Sequence, residues 1–411
     1  MNFINDAVLR SILTSKHHEN VSSKSIRILD WQIDDSIVKA GSNFSTQVSR
    51  LTIRYLENPQ TEEHHDDIAP RKEHFFLKVP VNAPLYELHK QLGSYDKEVA
   101  IYTEVLPQMY IVVDEYFSPR QYYSDDEKSL VLEDLSQSGY RCADRLEQLD
   151  IEHCFHALRC LAKFHALSVK VESTVGLPES VKRDHFLHPE GWSADTGAAI
   201  KLQIPIFIDS LPSDLKDQYP KMIDYFQKLS SLEAVTSMQE QLMANEFKVL
   251  NHGDFWTNNI MFKYDKCDTI KEVKLIDFQM TTWSSPARDL IYFAITSIKF
   301  QVYRKYFPLL LKIYLDTLNR ILGLLNCPTY NMSSLLDDID IMFPFASITL
   351  CSMLPIIISD PDDPINTEEM SKDDKIEIHG MAKGYKQKPF RVISAKWFEH
   401  FAQKGTLRID E

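Results

Sequence analysis

The stretch VLNHGDFWTNNIMF, residues 249–262, is closely followed by VKLIDFQ, residues 273–279. Each begins as an apolar strand signal and ends in polar residues. Asp254 lies just past the first strand, Asn259 follows five residues later, and Asp277 ends the later strand. In phosphotransfer sites one carboxylate accepts the proton of the attacking hydroxyl, while an amide oxygen and a second carboxylate hold magnesium on the ATP phosphates. This order of residue types is typical of such a site, with Asp254 as the catalytic base.

The predicted metal ligands are Asn259 and Asp277. Magnesium prefers hard oxygen ligands, usually one or two carboxylates completed by substrate phosphates. The alternative is that Asp254 and Asn259 cap a turn while Asp277 merely ends a strand. The three residue types fall in the order that kinases use, which favours the catalytic interpretation.

Length and composition indicate an ordinary globular protein. The 411 residues are enough for two or three domain-sized units. Hydrophobic residues make up 44% and charged residues 25%, as in typical soluble domains. A net charge of −14 gives no counterion release on DNA or RNA, so nucleic acid is not an expected partner. No obligate protein partner is predicted either.

The chain is predicted to be cytoplasmic. None of its six cysteines forms a C-x-x-C pair, which favours reduced thiols. Residues 1–9 lack the basic and apolar regions of a signal peptide. Residues 341–358 are long enough to cross a membrane, but they carry Pro344 and Pro355 among polar residues. A buried helix is therefore favoured over membrane insertion.

The first part of the chain carries strand signals after a short extension. Residues 1–30 predict one or two helices, and strands begin near Trp31. A strand, a turn of small residues and a second strand follow, with Gly41, Ser42 and Asn43 in the turn. Backbone amides in such a turn can cradle phosphate. With a single glycine, an ordinary hairpin is the alternative.

Lys78 lies inside the apolar strand signal HFFLKVP, where an unpaired charge is costly. The segment that follows places Tyr95, Glu98 and Tyr102 on one helical stripe. A glutamate on a buried helical face also needs a partner. One ion pair between Lys78 and Glu98 satisfies both, and kinases use such a pair to hold the α- and β-phosphates. The alternative is two surface side chains that extend into solvent.

An apolar strand that runs into an acidic turn, residues 129–135, predicts a hinge between two lobes. Backbone groups of Glu133, Asp134 and Leu135 are candidates for adenine binding. Since backbone contacts leave little trace in a sequence, this interpretation rests on position in the chain.

The remainder predicts mostly helix, over residues 146–171, 289–325, 333–358 and 390–403. His165 is predicted to be a packed structural histidine. Asp289 precedes an apolar helix at a capping position and is predicted to hold the catalytic loop. Residues 172–248 either build the acceptor pocket or are plain core.

Taken together, these motifs resemble the protein-kinase-like superfamily, on its small-molecule branch with choline and aminoglycoside kinases. The resemblance is greatest to the insect-expanded ecdysteroid-kinase-like family. The matching segments are residues 41–44, 75–78, Glu98 with Tyr102 and Pro107, and residues 131–135, 161–166, 252–259, 276–279 and 286–290.

The resemblance implies an α+β, two-lobed protein-kinase-like fold. Residues 1–135 would form a nucleotide-binding lobe with an antiparallel sheet and a helix, with residues 1–30 as a helical extension. Residues 136–411 would form a larger, mostly helical lobe for catalysis and acceptor binding. The implied activity is ATP- and Mg²⁺-dependent phosphorylation of a hydroxyl group. In this family the named acceptor is an ecdysteroid, at its C-22 hydroxyl.

The resemblance implies a role for each residue of this chain that matches a functional position of the family. Asp254 would be the base, Asn259 and Asp277 the magnesium ligands, Lys78 the lysine on the phosphates and Glu98 its orienting partner.

Departures from protein kinases favour a constitutively formed small-molecule kinase. Gly253 stands where those enzymes place an arginine, so a phosphorylated activation loop has no partner there. Gln279 replaces the glycine of Asp-Phe-Gly, and no Ala-Pro-Glu follows. Two other functions stay open: a detoxification kinase for plant or foreign hydroxyl compounds, and a ligand-binding pseudokinase. An amino-alcohol acceptor would predict acidic and aromatic groups around the pocket, whereas a sterol predicts an apolar one.

Overall fold

The computed structural model describes residues 4–16, 26–35, 46–57, 69–80, 93–124, 129–184, 194–229, 232–243, 245–360, 362 and 378–409. The chain divides into two compact units, Met1–Tyr86 with Ser118–Tyr140, and Glu87–Phe117 with Arg141–Glu411. The predicted α+β class is confirmed, with an antiparallel sheet early in the chain and a helical remainder. The assignment of residues 1–135 to nucleotide binding and 136–411 to catalysis stays a prediction.

The first unit is built on a five-stranded antiparallel sheet in the order β1-β2-β3-β5-β4. Its strands are β1 (Ile26–Asp34), β2 (Thr46–Glu57), β3 (Arg71–Pro80), β4 (Gln121–Ser124) and β5 (Leu130–Glu133). The edge strand β1 begins at Ile26, so residues 26–30 are strand and not the helix predicted for residues 1–30.

Helix α1, Asp6–Lys16, packs on this sheet. Leu9, Ile12 and Leu13 lie three and four residues apart, which places them on one helix face. All three are buried in one hydrophobic cluster with strand residues such as Ile53. The helical extension is therefore part of the core of the first unit.

The second unit begins with a helix in three pieces: α2 (Ser94–Ala100), a π-helical turn (Ile101–Val105) and α3 (Leu106–Val112). Pro107 lies in the first turn of α3, where its missing N–H is tolerated.

Four short strands and the long helix α4, Ile151–Thr174, form the centre of the second unit. Strand β7 (Val249–Asn251) pairs with β10 (Thr282–Ser284), and β8 (Ile260–Tyr264) pairs with β9 (Ile270–Leu275). Strand β6, Tyr140–Cys142, lies where the chain passes from the first unit to the second.

The other helices of the second unit are α5 (Glu179–Lys182), α6 (Ala194–Ser210), α7 (Ser213–Gln218), α8 (Pro220–Lys228), α9 (Leu232–Met243), α10 (Ala287–Thr296), α11 (Phe300–Leu324), α12 (Met332–Ile341), α13 (Phe343–Ile348), α14 (Leu354–Ile357), α15 (Ile378–Lys386) and α16 (Lys388–Lys404). The helix predicted over residues 289–325 is two helices, because Ile298 leaves the helical path to bridge to Leu149. The helix predicted over residues 333–358 is also interrupted, at Met342 and by a π-helical turn, Thr349–Met353.

Within the described ranges, no single helix has the length and apolar character needed to cross a membrane. One pair, Met332–Ile341 and Phe343–Ile357, passes that test only when joined across a bend of 55°. Most side chains of residues 345–358 are buried in the second unit, as predicted for a core helix.

Candidate active site

Strand pairing brings Asp254, Asn259 and Asp277 together in the second unit. The Asp254 loop, residues 252–259, connects β7 to β8. The pairing of β8 with β9 continues into a hydrogen bond in which the Ile276 N–H donates to the Asn259 carbonyl at 3.1 Å. Asp277 is the next residue, close enough for its charge to act on Asp254. The two sequence motifs therefore form one site.

Gly253 is required by the backbone of this loop. Its φ is +80°, and a Cβ atom there would lie 1.8 Å from the carbonyl oxygen of Met280. No side chain fits such an approach. The glycine that replaces the protein-kinase arginine is thus needed to pack the loop against the segment after Asp277.

Asp289 holds the loop, as predicted, but it does not cap a helix. Helix α10 begins at Ala287, so Asp289 lies within its first turn. Its two carboxylate oxygens accept from the backbone N–H groups of His252 at 2.6 Å and Gly253 at 2.9 Å. Burial tends to raise the pKa of Asp289, but hydrogen bonds and the nearby His165 and His252 outweigh it and lower the pKa. A buried carboxylate therefore fixes the loop.

His165 is a packed structural residue, as predicted. It is fully buried in α4, with Nε2 3.1 Å from a carboxylate oxygen of Asp289 and Nδ1 2.7 Å from the Tyr314 hydroxyl. In the neutral ring, one nitrogen donates to the carboxylate while the other accepts from the hydroxyl. His165 thus orients Asp289.

Asp254 is held by three donors. Tyr292 Oη donates to Oδ1 at 2.7 Å, while Trp256 Nε1 and Asn259 Nδ2 donate to Oδ2 at 3.2 and 2.8 Å. Burial and the Asp277 charge raise the pKa of Asp254 to about 6, although the three hydrogen bonds oppose the rise. The residue as a whole stays partly exposed. A fixed, accessible carboxylate with a pKa near neutrality has the properties of a general base.

Sequence reasoning missed Tyr292 and Trp256. Tyr292 lies on α10 one turn after Asp289, on the helix face that meets the loop. That i, i+3 spacing is the one signal that could have indicated it. Trp256 lies in the motif itself, but its type gives no indication that the indole turns back to Asp254.

The donor set around Asn259 fits a hard cation such as Mg²⁺. Its Nδ2 donates to both the carbonyl and the carboxylate of Asp254, at 2.9 and 2.8 Å. Because the amide nitrogen is engaged there, Oδ1 is the atom available as a ligand. Across the described ranges, no group of three or more His, Cys, Asp or Glu could hold a metal ion. Two protein oxygens completed by phosphate oxygens match what Mg²⁺ needs.

Asp277 has a left-handed backbone, with φ +68°. A non-glycine residue in this region is strained, and such strain concentrates at functional sites. The next residue, Phe278, anchors the turn, since its ring lies 4.9 Å from that of His252 and 5.7 Å from that of Tyr102. The turn therefore holds Asp277 in a fixed place.

Lys78 lies in the first unit, on β3, opposite Val48 and Leu130, and is 6% exposed. Glu98 lies in the second unit, on α2, and is 3% exposed. Burial of both agrees with the argument that each needs a partner, and their pairing stays a prediction. The predicted phosphate-turn residues, Gly41, Ser42 and Asn43, lie outside the described residues.

The predicted adenine-binding segment begins at the end of β5. The Glu133 N–H donates to the Arg120 carbonyl at 2.8 Å, and the Asp134 carbonyl accepts from Gln137 at 3.1 Å. The Asp134 carboxylate is paired with Arg50 at 2.7 Å. The Leu135 carbonyl also accepts from the Gly139 N–H, and adenine binding by residues 133–135 stays a prediction.

Comparisons with known proteins identify a family. The model of the ecdysteroid kinase-like family matches residues 40–327, which is more than half of the chain. No curated protein matches the sequence significantly.

Three solved structures similar to the chain are as follows. A microcompartment-associated aminopropanol kinase is 13% identical, with 99% of this chain and 100% of that chain covered and a TM-score of 0.39. A choline/ethanolamine kinase family protein from Mesorhizobium loti is 11% identical, with 78% and 89% covered and a TM-score of 0.38. The APH(2″)-IIa of a gentamicin complex is 13% identical, with 90% and 95% covered and a TM-score of 0.38. The family match is the finding on which the identity of the chain rests.

Proposed function

The chain belongs to the ecdysteroid kinase-like family, whose members are small-molecule phosphotransferases acting on hydroxyl groups, and on that premise we propose an acceptor. The protein transfers the γ-phosphoryl group of ATP to a hydroxyl group of an ecdysteroid or a related sterol, with C-22 as the expected position. The arrangement around Asp254 is the observation that carries this proposal.

Asp254 takes the proton of the acceptor hydroxyl. Its pKa of about 6 keeps it largely ionised at neutral pH while leaving it basic enough to accept a proton. Tyr292 fixes Oδ1, and Asn259 fixes Oδ2. Catalysis of phosphoryl transfer depends mainly on positioning and electrostatics, and a carboxylate fixed at both oxygens supplies the positioning.

Asn259 Oδ1 and the Asp277 carboxylate would hold Mg²⁺, which when bound neutralises charge on the phosphates. Lys78, oriented by Glu98, would bind the α- and β-phosphates. Gly41, Ser42 and Asn43 would contribute backbone amides, and the segment from Glu133 to Leu135 would bind adenine.

Carboxylates of the segments around α10 favour a neutral acceptor over an amino alcohol. Asp184 is paired with Arg288. The buried Asp338 accepts from Tyr330 at 2.6 Å and from the Asn245 amide at 2.7 Å. Both carboxylates are engaged, and so is the carboxylate of Asp289. An ammonium group bound through a carboxylate would need one that is not already paired, so these engaged carboxylates support a hydroxyl compound without charge.

Aromatic side chains beside Asp254 suit a rigid, apolar ring system. The ring of Tyr292 is stacked on Phe345, with 6.5 Å between centroids and an interplanar angle of 21°. The Trp256 indole lies on the other carboxylate oxygen and is partly exposed. Of these rings, Trp256 is the one that offers a partly exposed, flat apolar surface in a fixed place, which fits a sterol.

The protein is proposed to act in the cytoplasm. All six cysteines are unpaired, and burial raises the pKa of the Cys142 thiol to about 11. Unpaired thiols are typical of a reducing compartment.

The test is a product screen. Purified protein is incubated with Mg²⁺ and ATP together with ecdysteroids, plant phenolics and amino alcohols, and new phosphate esters are read by mass spectrometry. A steroid monophosphate that requires both ATP and Mg²⁺ supports the proposal. A phenolic or glycoside phosphate would replace it with detoxification, and a phosphorylated amino alcohol would contradict the neutral-acceptor argument. ATP binding without any product would favour a pseudokinase.

A further inference from the structure

Lys97, the neighbour of the predicted phosphate-site glutamate Glu98, is buried, and its ammonium forms no ion pair with a carboxylate in the described part of the chain. It lies on α2 and is 4% exposed. Its Nζ donates to the Arg183 carbonyl at 2.6 Å and to the Thr281 carbonyl at 2.7 Å. Burial lowers the pKa of Lys97 to about 8, although the Asp184 charge opposes this. A buried ammonium held by two neutral carbonyls is costly, so its place in the structure calls for an explanation.

The two carbonyl groups belong to segments that adjoin residues of the candidate site. Thr281 follows Met280, the residue whose carbonyl packs against Gly253 of the Asp254 loop. Thr281 also lies four residues after Asp277. Arg183 precedes Asp184, which is paired with Arg288 of α10. One ammonium therefore joins the Glu98 helix to the segment after Asp277 and to the end of α5.

The grouping of α2 with the second unit supports the same connection between the Glu98 helix and the Asp277 segment. Residues 87–117, which include α2, group with the helical second unit and not with the five-stranded sheet. Phe278 also packs its ring 5.7 Å from that of Tyr102, one turn after Glu98. The helix is thus attached to the Asp277 side by an apolar contact and by a charged one.

We propose that Lys97 is a positioning residue that locks the Glu98 helix to the Asp277 segment, so that the site needs no activation step. In regulated kinases, a phosphate on the activation loop pairs with an arginine and thereby aligns the site. Here Lys97 holds that alignment permanently. Gly253 occupies that arginine position here, which leaves the alignment to Lys97. This inference rests on the proposed function for its kinetic consequence but not for its structural one.

The structural test needs neither acceptor nor turnover. Hydrogen exchange is compared between the wild type and Lys97→Met, without ligand. We expect faster exchange over residues 94–105, with exchange over α4 unchanged. Lys163→Met is the matched control, since its ammonium is paired with Glu115 at the surface at 2.6 Å. Equal protection of residues 94–105 in wild type and Lys97→Met would overturn the lock.

Kinetics supply the second readout. In Lys97→Met we expect the KM for ATP to rise about tenfold, the equivalent of one charge-assisted hydrogen bond, with the KM for the acceptor unchanged. Lys97→Arg, which keeps the charge, should recover part of the loss. If Lys97→Met does not fold, Lys97→Gln replaces it in both measurements, and a Gln variant with wild-type exchange and KM would also overturn the proposal. A wild type that phosphorylates no acceptor would contradict the proposed function, while the exchange result would still decide on the lock.

Discussion

Removing the Tyr292 hydroxyl should shift the pH at which the enzyme becomes active. Tyr292 Oη donates to Asp254 Oδ1 at 2.7 Å and thereby lowers the pKa of that carboxyl, which burial and Asp277 raise to about 6. In Tyr292→Phe this opposing effect is lost. The pKa of Asp254 should therefore rise further. Because the base must be ionised, activity falls as the pH drops through this pKa, and the acid limb should move to higher pH.

The size of the shift follows from the hydrogen bond. A hydrogen bond to a charged group contributes about 1.5–3 kcal/mol, and about 1.4 kcal/mol corresponds to one pKa unit. The protonated carboxyl would keep part of the interaction, so we expect the lower end, a shift of about one unit. The acid limb should then move from near pH 6 to about pH 7.

The assay is the pH dependence of kcat/KM for the acceptor, which reports the pKa values of the free enzyme. Tyr303→Phe is the matched control, because its buried hydroxyl bonds to the Leu407 carbonyl at 2.5 Å and to His400 at 2.9 Å, apart from the site. An acid limb at the same pH in Tyr292→Phe and wild type would refute the reasoning. So would an equal shift in Tyr303→Phe.

Three further substitutions test the site. Gly253→Ala places a methyl group 1.8 Å from the Met280 carbonyl oxygen and should lower both the melting temperature and the activity. Its control is Gly139→Ala, at φ +83° with open space around it, which should cost only about 1–2 kcal/mol of backbone strain. Equal losses in melting temperature would contradict the packing argument. Asn259→Ala should raise the Mg²⁺ concentration for half-maximal activity by about tenfold or more, and an unchanged Mg²⁺ titration would remove Asn259 from the metal site. Lys78→Ala should weaken productive ATP binding, and unchanged KM for ATP and kcat would exclude Lys78 from the nucleotide site.

The core of the candidate site could be predicted because its chemistry constrains residue type at strand ends. Asp254 and Asp277 each follow a short apolar strand, Asn259 directly precedes another, and the pairing of β8 with β9 brings Asn259 next to the Asp277 segment. The burial of Lys78 and Glu98 was also predictable, since charges inside apolar periodicity are conspicuous.

What the sequence did not reveal depends on contacts between distant segments or with backbone. The role of Tyr292 arises only when α10 packs on the Asp254 loop. Lys97 resembles a surface lysine in sequence, because its partners are two carbonyls that leave no trace in residue type. The helix interruptions at Met342 and Ile298 follow from tertiary packing that periodicity does not encode.

The claim that Asp254 is the base of a phosphotransferase is tested most directly by Asp254→Asn. The amide keeps the shape of the side chain but cannot take a proton. The rate of phosphoryl transfer should fall by about 10²–10⁴-fold, while the Kd for ATP, measured by calorimetry, stays close to that of the wild type. A variant that transfers phosphate at a near wild-type rate would contradict the account.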